Sequence, residues 1–164
     1  MRLFHLAPLA LLAGAGEAAA QEDAAQILAD HVVVDKTART LTAYSAGAPL
    51  RVIEGIQLGD APAGHKRFQG DERTPEGRYT IDWGNPQSAF TLSLHVSYPN
   101  AADSAYAASF GRSAGGMIMI HGQPTGMADR VRGDWTDGCI AVSNEEIEWL
   151  WRVVPDGATI DILP

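Results

Sequence analysis

The chain has 164 residues, and its content of 46% hydrophobic and 20% charged residues is typical of one globular domain with a buried core. Its formal net charge of -8 at pH 7 excludes nucleic acid as a general partner, because phosphate groups require a basic surface. A single cysteine excludes an internal disulfide and leaves three roles for that residue: a buried structural residue, an intermolecular link or a reactive thiol.

The N-terminal segment has the pattern of a secretory signal peptide. Arg2 gives a positive start, residues 3–15 form an apolar run, and small residues at 18–20 fit a signal peptidase site. We therefore predict a signal peptide over residues 1–20, a short lead over residues 21–30 and one domain over residues 31–164. The chain is accordingly expected to be exported to the periplasm or cell envelope. No membrane span is expected, because no later apolar run approaches about 20 residues.

Short strands dominate the prediction for the first part of this domain. Alternating or β-branched apolar residues indicate strands in four segments: 32–34, 41–45, 50–58 and 92–98. Between them, Tyr79, Ile81 and Trp83 alternate with polar residues. This spacing predicts a strand that places all three side chains on one buried face.

The sequence of the second part of the domain predicts two helices and three more strands. The alanine-rich residues 101–110 predict a helix that Gly111 ends. Ser143 and Glu146 have the spacing of a capping box, which predicts the start of a helix with one apolar face packed on the sheet. The further strands are one ending at His121, one starting after Cys139 and one over residues 159–163. The prediction is a mainly β domain with at most two helices.

Two of these strand ends carry a cysteine and a histidine that could act as a nucleophile and a general base. Cys139 follows Gly138 where a loop enters a strand, a position that can expose a nucleophile. His121 ends the preceding strand, and its near-neutral ordinary pKa suits a general base. A zinc site needs three or four ligands, and the sequence has no second cysteine and no clustered histidines. We therefore expect no metal and no cofactor. Inert burial of the thiol stays open as the alternative to a nucleophile.

Five blocks of sequence carry a more specific signal: 58–66, 70–79, 97–100, 118–122 and 136–142. The last two read Ile118-Met119-Ile120-His121-Gly122 and Thr136-Asp137-Gly138-Cys139-Ile140-Ala141-Val142. In this order the blocks resemble the YkuD-type L,D-transpeptidase catalytic domain of bacterial cell-wall metabolism. The resemblance extends over residues 31–163.

The resemblance implies an L,D-transpeptidase-like β-sandwich with one or two short helices. It also implies an enzyme of cell-wall biogenesis and cell shape, in which Cys139 is the nucleophile and His121 the general base. The implied substrate is a peptidoglycan stem peptide, which forms a thioester on Cys139 that an amine resolves; a wall-attached protein is a further implied partner. Gly138 and Thr136 are expected in the oxyanion and backbone region. Candidate substrate-binding residues are Arg73, Arg112, Trp135 and His95.

Two residues depart from the commonest pattern of the family and bear on its specificity. Asp137 stands where a histidine is usual, and Ala141 stands where an arginine is frequent. This form resembles a murein-tailoring subgroup of the YafK or ErfK type, so donor and acceptor recognition are the features in question.

Two other functions stay open beside transpeptidation. One is a hydrolase that uses the same Cys139 and His121, either an L,D-carboxypeptidase or an amidase that releases wall-attached proteins. The other is a non-catalytic peptidoglycan-binding module, against which the intact His121, Gly138 and Cys139 argue.

Overall fold

The computed structural model of the chain describes residues 27–164, so the predicted signal peptide and residues 21–26 of the predicted lead lie outside it. Within this range the prediction of a mainly β fold with two short helices is confirmed. In chain order the elements are β1 (His31–Asp35), β2 (Thr40–Ser45), β3 (Ala48–Glu54), β4 (Gly77–Asn85), β5 (Ser93–Val96), α1 (Ala101–Ser109), β6 (Ile118–His121), β7 (Ile140–Ala141), α2 (Asn144–Val153) and β8 (Ala158–Leu163). Neither helix is long and apolar enough to cross a bilayer.

The strands form one sheet in the order β3-β2-β1-β8-β4-β5-β6-β7. The β1–β8 and β6–β7 pairs are parallel, and the other pairs are antiparallel. The chain leaves the edge strand β3 at Glu54, earlier than the predicted end at residue 58. It then crosses to the opposite edge, where Gln57 pairs with Ala141 and Gly59 with Thr136. The sheet is therefore curled, with its first and last strands connected through this segment.

The core lies between the curled sheet and helix α2. The capping box that begins this helix is present, since Ser143 Oγ accepts from the Glu146 N–H at 3.2 Å and Glu146 Oε2 accepts from the Ser143 N–H at 2.7 Å. Ile147 and Leu150 are fully buried on its apolar face, and the helix contacts β5 and β6. Full burial of such a side chain stabilises the fold by about 1.5–3 kcal/mol.

A bulge in β4 makes the prediction for Trp83 wrong. Ile81 pairs with Val96. Trp83 is two residues further along β4, but it pairs with His95, which is only one residue away from Val96, so β4 has one extra residue at this point. Because an extra residue reverses the alternation of side chains, Trp83 is 38% exposed while Tyr79 and Ile81 are buried. The Trp83 ring stacks on His95 with centroids 4.8 Å apart.

Candidate active site

Parallel pairing of β6 and β7 brings the predicted base and nucleophile together. His121 pairs with Ala141, and Cys139 precedes Ala141 by two residues. Since alternate residues of a strand point to one face, the side chains of His121 and Cys139 share a face, together with that of Met119. Cys139 and His121 accordingly line the same cavity, which has a volume of about 270 Å³.

A tight turn presents Cys139 directly before β7. Thr136 Oγ1 donates to the Cys139 carbonyl oxygen at 2.7 Å and accepts from the Gly138 N–H at 3.2 Å. Gly138 has a φ of +126°, and a Cβ at this position would lie 2.5 Å from the carbonyl oxygen of Arg73. The turn therefore needs glycine at 138, both for its backbone conformation and for its close approach to the neighbouring chain.

The thiol is neutral in its resting environment. Its sulfur accepts from the Met119 N–H at 3.4 Å, and its S–H donates to the Met117 carbonyl oxygen at 3.6 Å. Burial raises the pKa of Cys139, and the carboxylate of Asp137 raises it further. The Met119 N–H and the charge of Lys66 lower this pKa, but the net direction is upward.

The imidazole of His121 is held in one tautomer. Its Nδ1 lies 2.7 Å from the Gly122 carbonyl oxygen, so Nδ1 carries the proton and Nε2 is left as the basic nitrogen. Burial lowers the pKa of His121, and the Gly122 carbonyl offsets this only in part. The ring packs against Phe90, with centroids 4.5 Å apart, and against Trp135 in a T-shaped arrangement, with centroids 5.6 Å apart. At neutral pH the site therefore holds a neutral imidazole and a neutral thiol.

Two cavities of different character share Met117 in their walls, and one of them contains Cys139. The cavity that contains His121 also has the aromatic side chains of Trp83 and Phe90 on its wall. The second cavity, of about 670 Å³, is polar and is lined by residues that include Lys66, Glu72 and Asp137. Met117 borders both cavities and is 63% exposed.

Lys66 is a feature of this site that the sequence did not reveal. It is only 3% exposed, and its Nζ donates to Asp71 Oδ1 at 2.8 Å and to the Phe68 carbonyl oxygen at 3.2 Å. Burial alone would raise the pKa of Asp71, but Lys66 and backbone N–H groups bring it below its ordinary value. The loop thus encloses a buried cation beside the polar cavity. A single lysine in a polar loop gives no sequence signal of burial.

The two arginines predicted to bind substrate lie in different places. The guanidinium of Arg112 lies 3.9 Å over the ring of Phe68, and the next residue, Ser113, lines the polar cavity. The guanidinium of Arg73 instead lies beside Gly64, 3.4 Å from the position a Cβ would have there. Arg73 lines neither cavity at the thiol. Arg112 also lines neither cavity, so the structure places neither of the two predicted arginines on the wall of a cavity beside Cys139.

The two ring residues predicted to bind substrate pack against other side chains of the site, Trp135 against His121 and His95 against Trp83. Trp135 makes a T-shaped contact with the His121 ring, and its buried Nε1 has no hydrogen-bond partner among residues 27–164. His95 lies behind Trp83, and its Nδ1 is 2.6 Å from Asp82 Oδ1. Across the part of the chain that the structure describes, no group of three or more His, Cys, Asp and Glu residues could hold a metal ion.

Comparison with known proteins adds a family and a fold. The family model described as the YkuD L,D-transpeptidase catalytic domain matches residues 29–162. YafK of Escherichia coli K12, named as a candidate L,D-transpeptidase, is 26% identical over 129 residues, which are 76% of this chain and 46% of YafK.

Two solved structures are similar to the chain. The helical cell shape determining protein Pgp2 of Campylobacter jejuni is 27% identical with a TM-score of 0.64, covering 80% of this chain and 46% of Pgp2. An L,D-transpeptidase from Mycobacterium smegmatis shares the fold at 18% identity and a TM-score of 0.54, covering 83% of this chain and 59% of that one. The chain thus spans about half the length of YafK and of Pgp2.

Proposed function

The chain belongs to the YkuD family of L,D-transpeptidase catalytic domains, and on this premise we propose that it is an exported cysteine enzyme that acts on peptidoglycan stem peptides. Cys139 is the nucleophile and His121 the general base. The observation that carries this proposal is the placement of both side chains on one face, His121 at the end of β6 and Cys139 directly before β7, in one cavity.

The first half of the reaction forms a thioester. His121 Nε2 takes the proton of the Cys139 thiol while the sulfur attacks the carbonyl carbon of the third residue of the stem. A C–S bond forms, the C–N bond breaks, and the imidazolium returns its proton to the nitrogen of the departing D-alanine. Because burial raises the pKa of the thiol and lowers that of the imidazole, the uncharged pair is favoured before the substrate binds.

The second half of the reaction releases the product and restores the thiol. In transpeptidation, His121 takes a proton from an acceptor amine as its nitrogen attacks the thioester carbonyl. The C–S bond then breaks, and the proton returns to sulfur. In hydrolysis, water takes the place of the amine, and the product is a shortened stem or a released wall-attached protein. Transfer is our leading proposal, and hydrolysis by the same pair is the alternative that the products distinguish.

The oxyanion formed in each half requires a backbone donor at the turn. The Gly138 N–H already donates to Thr136 Oγ1, so we assign this role to the N–H of Cys139 itself. Thr136 binds the turn at two points, since its Oγ1 accepts from the Gly138 N–H and donates to the Cys139 carbonyl oxygen. Loss of one oxyanion donor costs about 10²- to 10³-fold in kcat.

The polar cavity is proposed to receive the charged part of the stem peptide. Lys66 on its wall supplies positive charge in a chain whose net charge is -8. Arg112, next along the chain to the wall residue Ser113, is proposed as a second cation. Glu72 and Asp137 on the same wall suit an ammonium group. In this proposal the carboxylate of Asp137, where the family usually has histidine, changes which stem side chain is preferred.

The decisive experiment incubates the exported form of the protein with defined tetrapeptide muropeptides and identifies the products by mass spectrometry. Cross-linked dimers would support transfer, and tripeptides alone would support hydrolysis. We expect Cys139→Ala to abolish turnover and His121→Ala to reduce it by about 10²- to 10⁴-fold. His31→Ala is the matched control, because His31 binds Asp161 on the sheet and should leave turnover unchanged.

Three results would overturn the parts of this proposal. Full activity of Cys139→Ala would refute the nucleophile, and peptidoglycan binding without any product would favour a non-catalytic module. An N-terminus other than residue 21 on protein recovered from the cell envelope would contradict the predicted signal peptide.

A further inference from the structure

One peptide group lies between the imidazole of His121 and helix α2. The carbonyl of the Gly122–Gln123 peptide accepts from His121 Nδ1 at 2.7 Å. The N–H of the same peptide donates to the side-chain Oδ1 of Asn144, the first residue of α2, at 2.8 Å. Asn144 and His121 therefore hold opposite ends of a single amide group.

The orientation of the Asn144 side chain is fixed by its partners. Its Nδ2 donates to the backbone carbonyl of Met127 at 2.7 Å, while its Oδ1 faces the Gln123 N–H. Because a backbone N–H can only donate and a carbonyl can only accept, the oxygen and nitrogen of this side chain cannot be exchanged. The hydroxyl of Thr91 also donates to Oδ1, at 2.9 Å.

The chain on both sides of this peptide is packed to hold it in place. A Cβ at Gly122 would lie 2.8 Å from Asn144 Oδ1 and 3.0 Å from the Phe90 carbonyl oxygen. The Gly122 N–H donates to that same carbonyl at 3.1 Å. Thr91 has a φ of +67°, an uncommon conformation for a β-branched residue that persists only when its surroundings enforce it. The loop at Phe90 and the start of α2 thus hold the peptide from two directions.

We propose that Asn144 is a positioning residue for the reaction, which fixes and polarises the Gly122–Gln123 peptide so that its carbonyl holds His121 with Nε2 free. This inference rests on the proposed role of His121. A hydrogen bond accepted from the peptide N–H increases the negative charge on the peptide oxygen, because hydrogen bonds in a chain polarise one another. That oxygen then holds the Nδ1–H more firmly and stabilises the imidazolium that forms as Cys139 loses its proton.

The titration of His121 reports this effect with few competing charges. Cys139 is the titratable group that lines the same cavity. The rings packed on the imidazole, Phe90 and Trp135, do not titrate. Lys66 and Asp137 act on the thiol. A change at Asn144 therefore acts on His121 through the shared peptide.

The test compares Asn144→Ala and Asn144→Asp with the full exported protein. NMR measures the imidazole pKa and the Nδ1 proton of His121 without substrate, and muropeptide turnover gives the pH profile of kcat/KM. We expect Asn144→Ala to lower the pKa of His121 and to reduce kcat/KM on the order of 10-fold, less than loss of the base itself. Asn144→Asp keeps the acceptor and adds charge, so it should restore most of kcat/KM and raise this pKa above the wild-type value.

Ser143→Ala is the matched control for helix stability. It removes the N-cap hydroxyl that accepts from Glu146 but leaves the Gly122–Gln123 peptide untouched. We expect it to lower the thermal midpoint without moving the pKa of His121. If Asn144→Ala changed kcat/KM while the His121 titration and its Nδ1 proton stayed at their wild-type values, the positioning role would be wrong.

Two further outcomes keep the test decisive. Should Asn144→Ala fail to fold, Asn144→Asp decides alone, and an unchanged or lower pKa of His121 overturns the inference. Full turnover by His121→Ala would refute the proposed function and leave the NMR result standing. An inactive His121→Ala, combined with Asn144 variants that leave the His121 titration unchanged, would refute only the inference about Asn144.

Discussion

Replacing Gly138 with alanine tests how strongly the fold depends on the turn that carries the nucleophile. At a φ of +126° an L residue is disfavoured by about 1–2 kcal/mol. The new Cβ would lie 2.5 Å from the Arg73 carbonyl oxygen, and relief of that contact costs about 1–3 kcal/mol more. We expect Gly138→Ala to lower the free energy of unfolding by about 2–5 kcal/mol. Displacement of Cys139 should reduce kcat/KM by about 100-fold.

Gly157→Ala separates the conformational cost of the positive φ from the steric cost of the contact with Arg73. Gly157 has a φ of +94°, but a Cβ there would meet no atom within 4 Å, so only the conformational cost of about 1–2 kcal/mol applies. Urea denaturation of both variants gives the free energies of unfolding, and muropeptide turnover gives the activities. If Gly138→Ala cost no more than Gly157→Ala, close packing on Arg73 would not constrain the turn. Unchanged turnover in Gly138→Ala would show that the turn does not set the nucleophile position.

Four further predictions concern pH, a buried ion pair and the core. Because burial raises the pKa of Cys139 above its ordinary value of 9.0, alkylation should be slow at neutral pH and accelerate above this value; a rate that levels off near neutrality would contradict this. Because the pKa of His121 is below 6.5, kcat/KM should be lost only as pH falls through that lowered pKa, and an acid limb centred above 6.5 would refute the neutral imidazole. Lys66→Met should cost about 3 kcal/mol in urea denaturation, since it leaves Asp71 without its cation; a loss typical of exposed pairs, about 0–1 kcal/mol, would contradict the burial of the pair. Leu150→Ala should cost about 2–5 kcal/mol by the same assay, and a change within about 0.5 kcal/mol, as at surface sites, would mean that α2 does not pack as described.

Local patterns in the sequence predicted the elements that depend on near neighbours. The capping box of Ser143 and Glu146 begins α2 at the expected place, and the predicted helix over residues 101–110 corresponds to α1. Both features arise from contacts within one helical turn, which the sequence displays directly. The architecture of the sheet was inferred from the family resemblance, because strand order depends on residues far apart in the chain.

The predictions that failed depend on such distant contacts. The third strand was expected to reach residue 58, but Gly55 adopts a φ of +65° and Gln57 then pairs across the molecule with Ala141. Trp83 keeps the spacing of a buried strand residue, yet the bulge opposite His95 turns it outward. The alternation of apolar residues in β4 cannot reveal a bulge, because the extra residue is defined only by the pairing with β5.

The candidate site was predictable where a sequence motif marks it. Cys139 and His121 were identified from their blocks, and their catalytic roles stay predictions until turnover is measured. Lys66 and Asn144 were missed because neighbouring loops determine their surroundings. Asn144 in the sequence resembles an ordinary first residue of a helix, and its contact with the Gln123 N–H joins segments that are separated along the chain.

The position of β8 in the sheet has a consequence for how the chain folds. This strand is the last along the described chain, yet it lies between β1 and β4 at the centre of the sheet. Such pairing between distant residues requires costly loop closure before any contact forms, and proteins dominated by it fold on a scale of about milliseconds to seconds. The two halves of the sheet, β1–β3 and β4–β7, can therefore be joined only after residues 158–163 have been made.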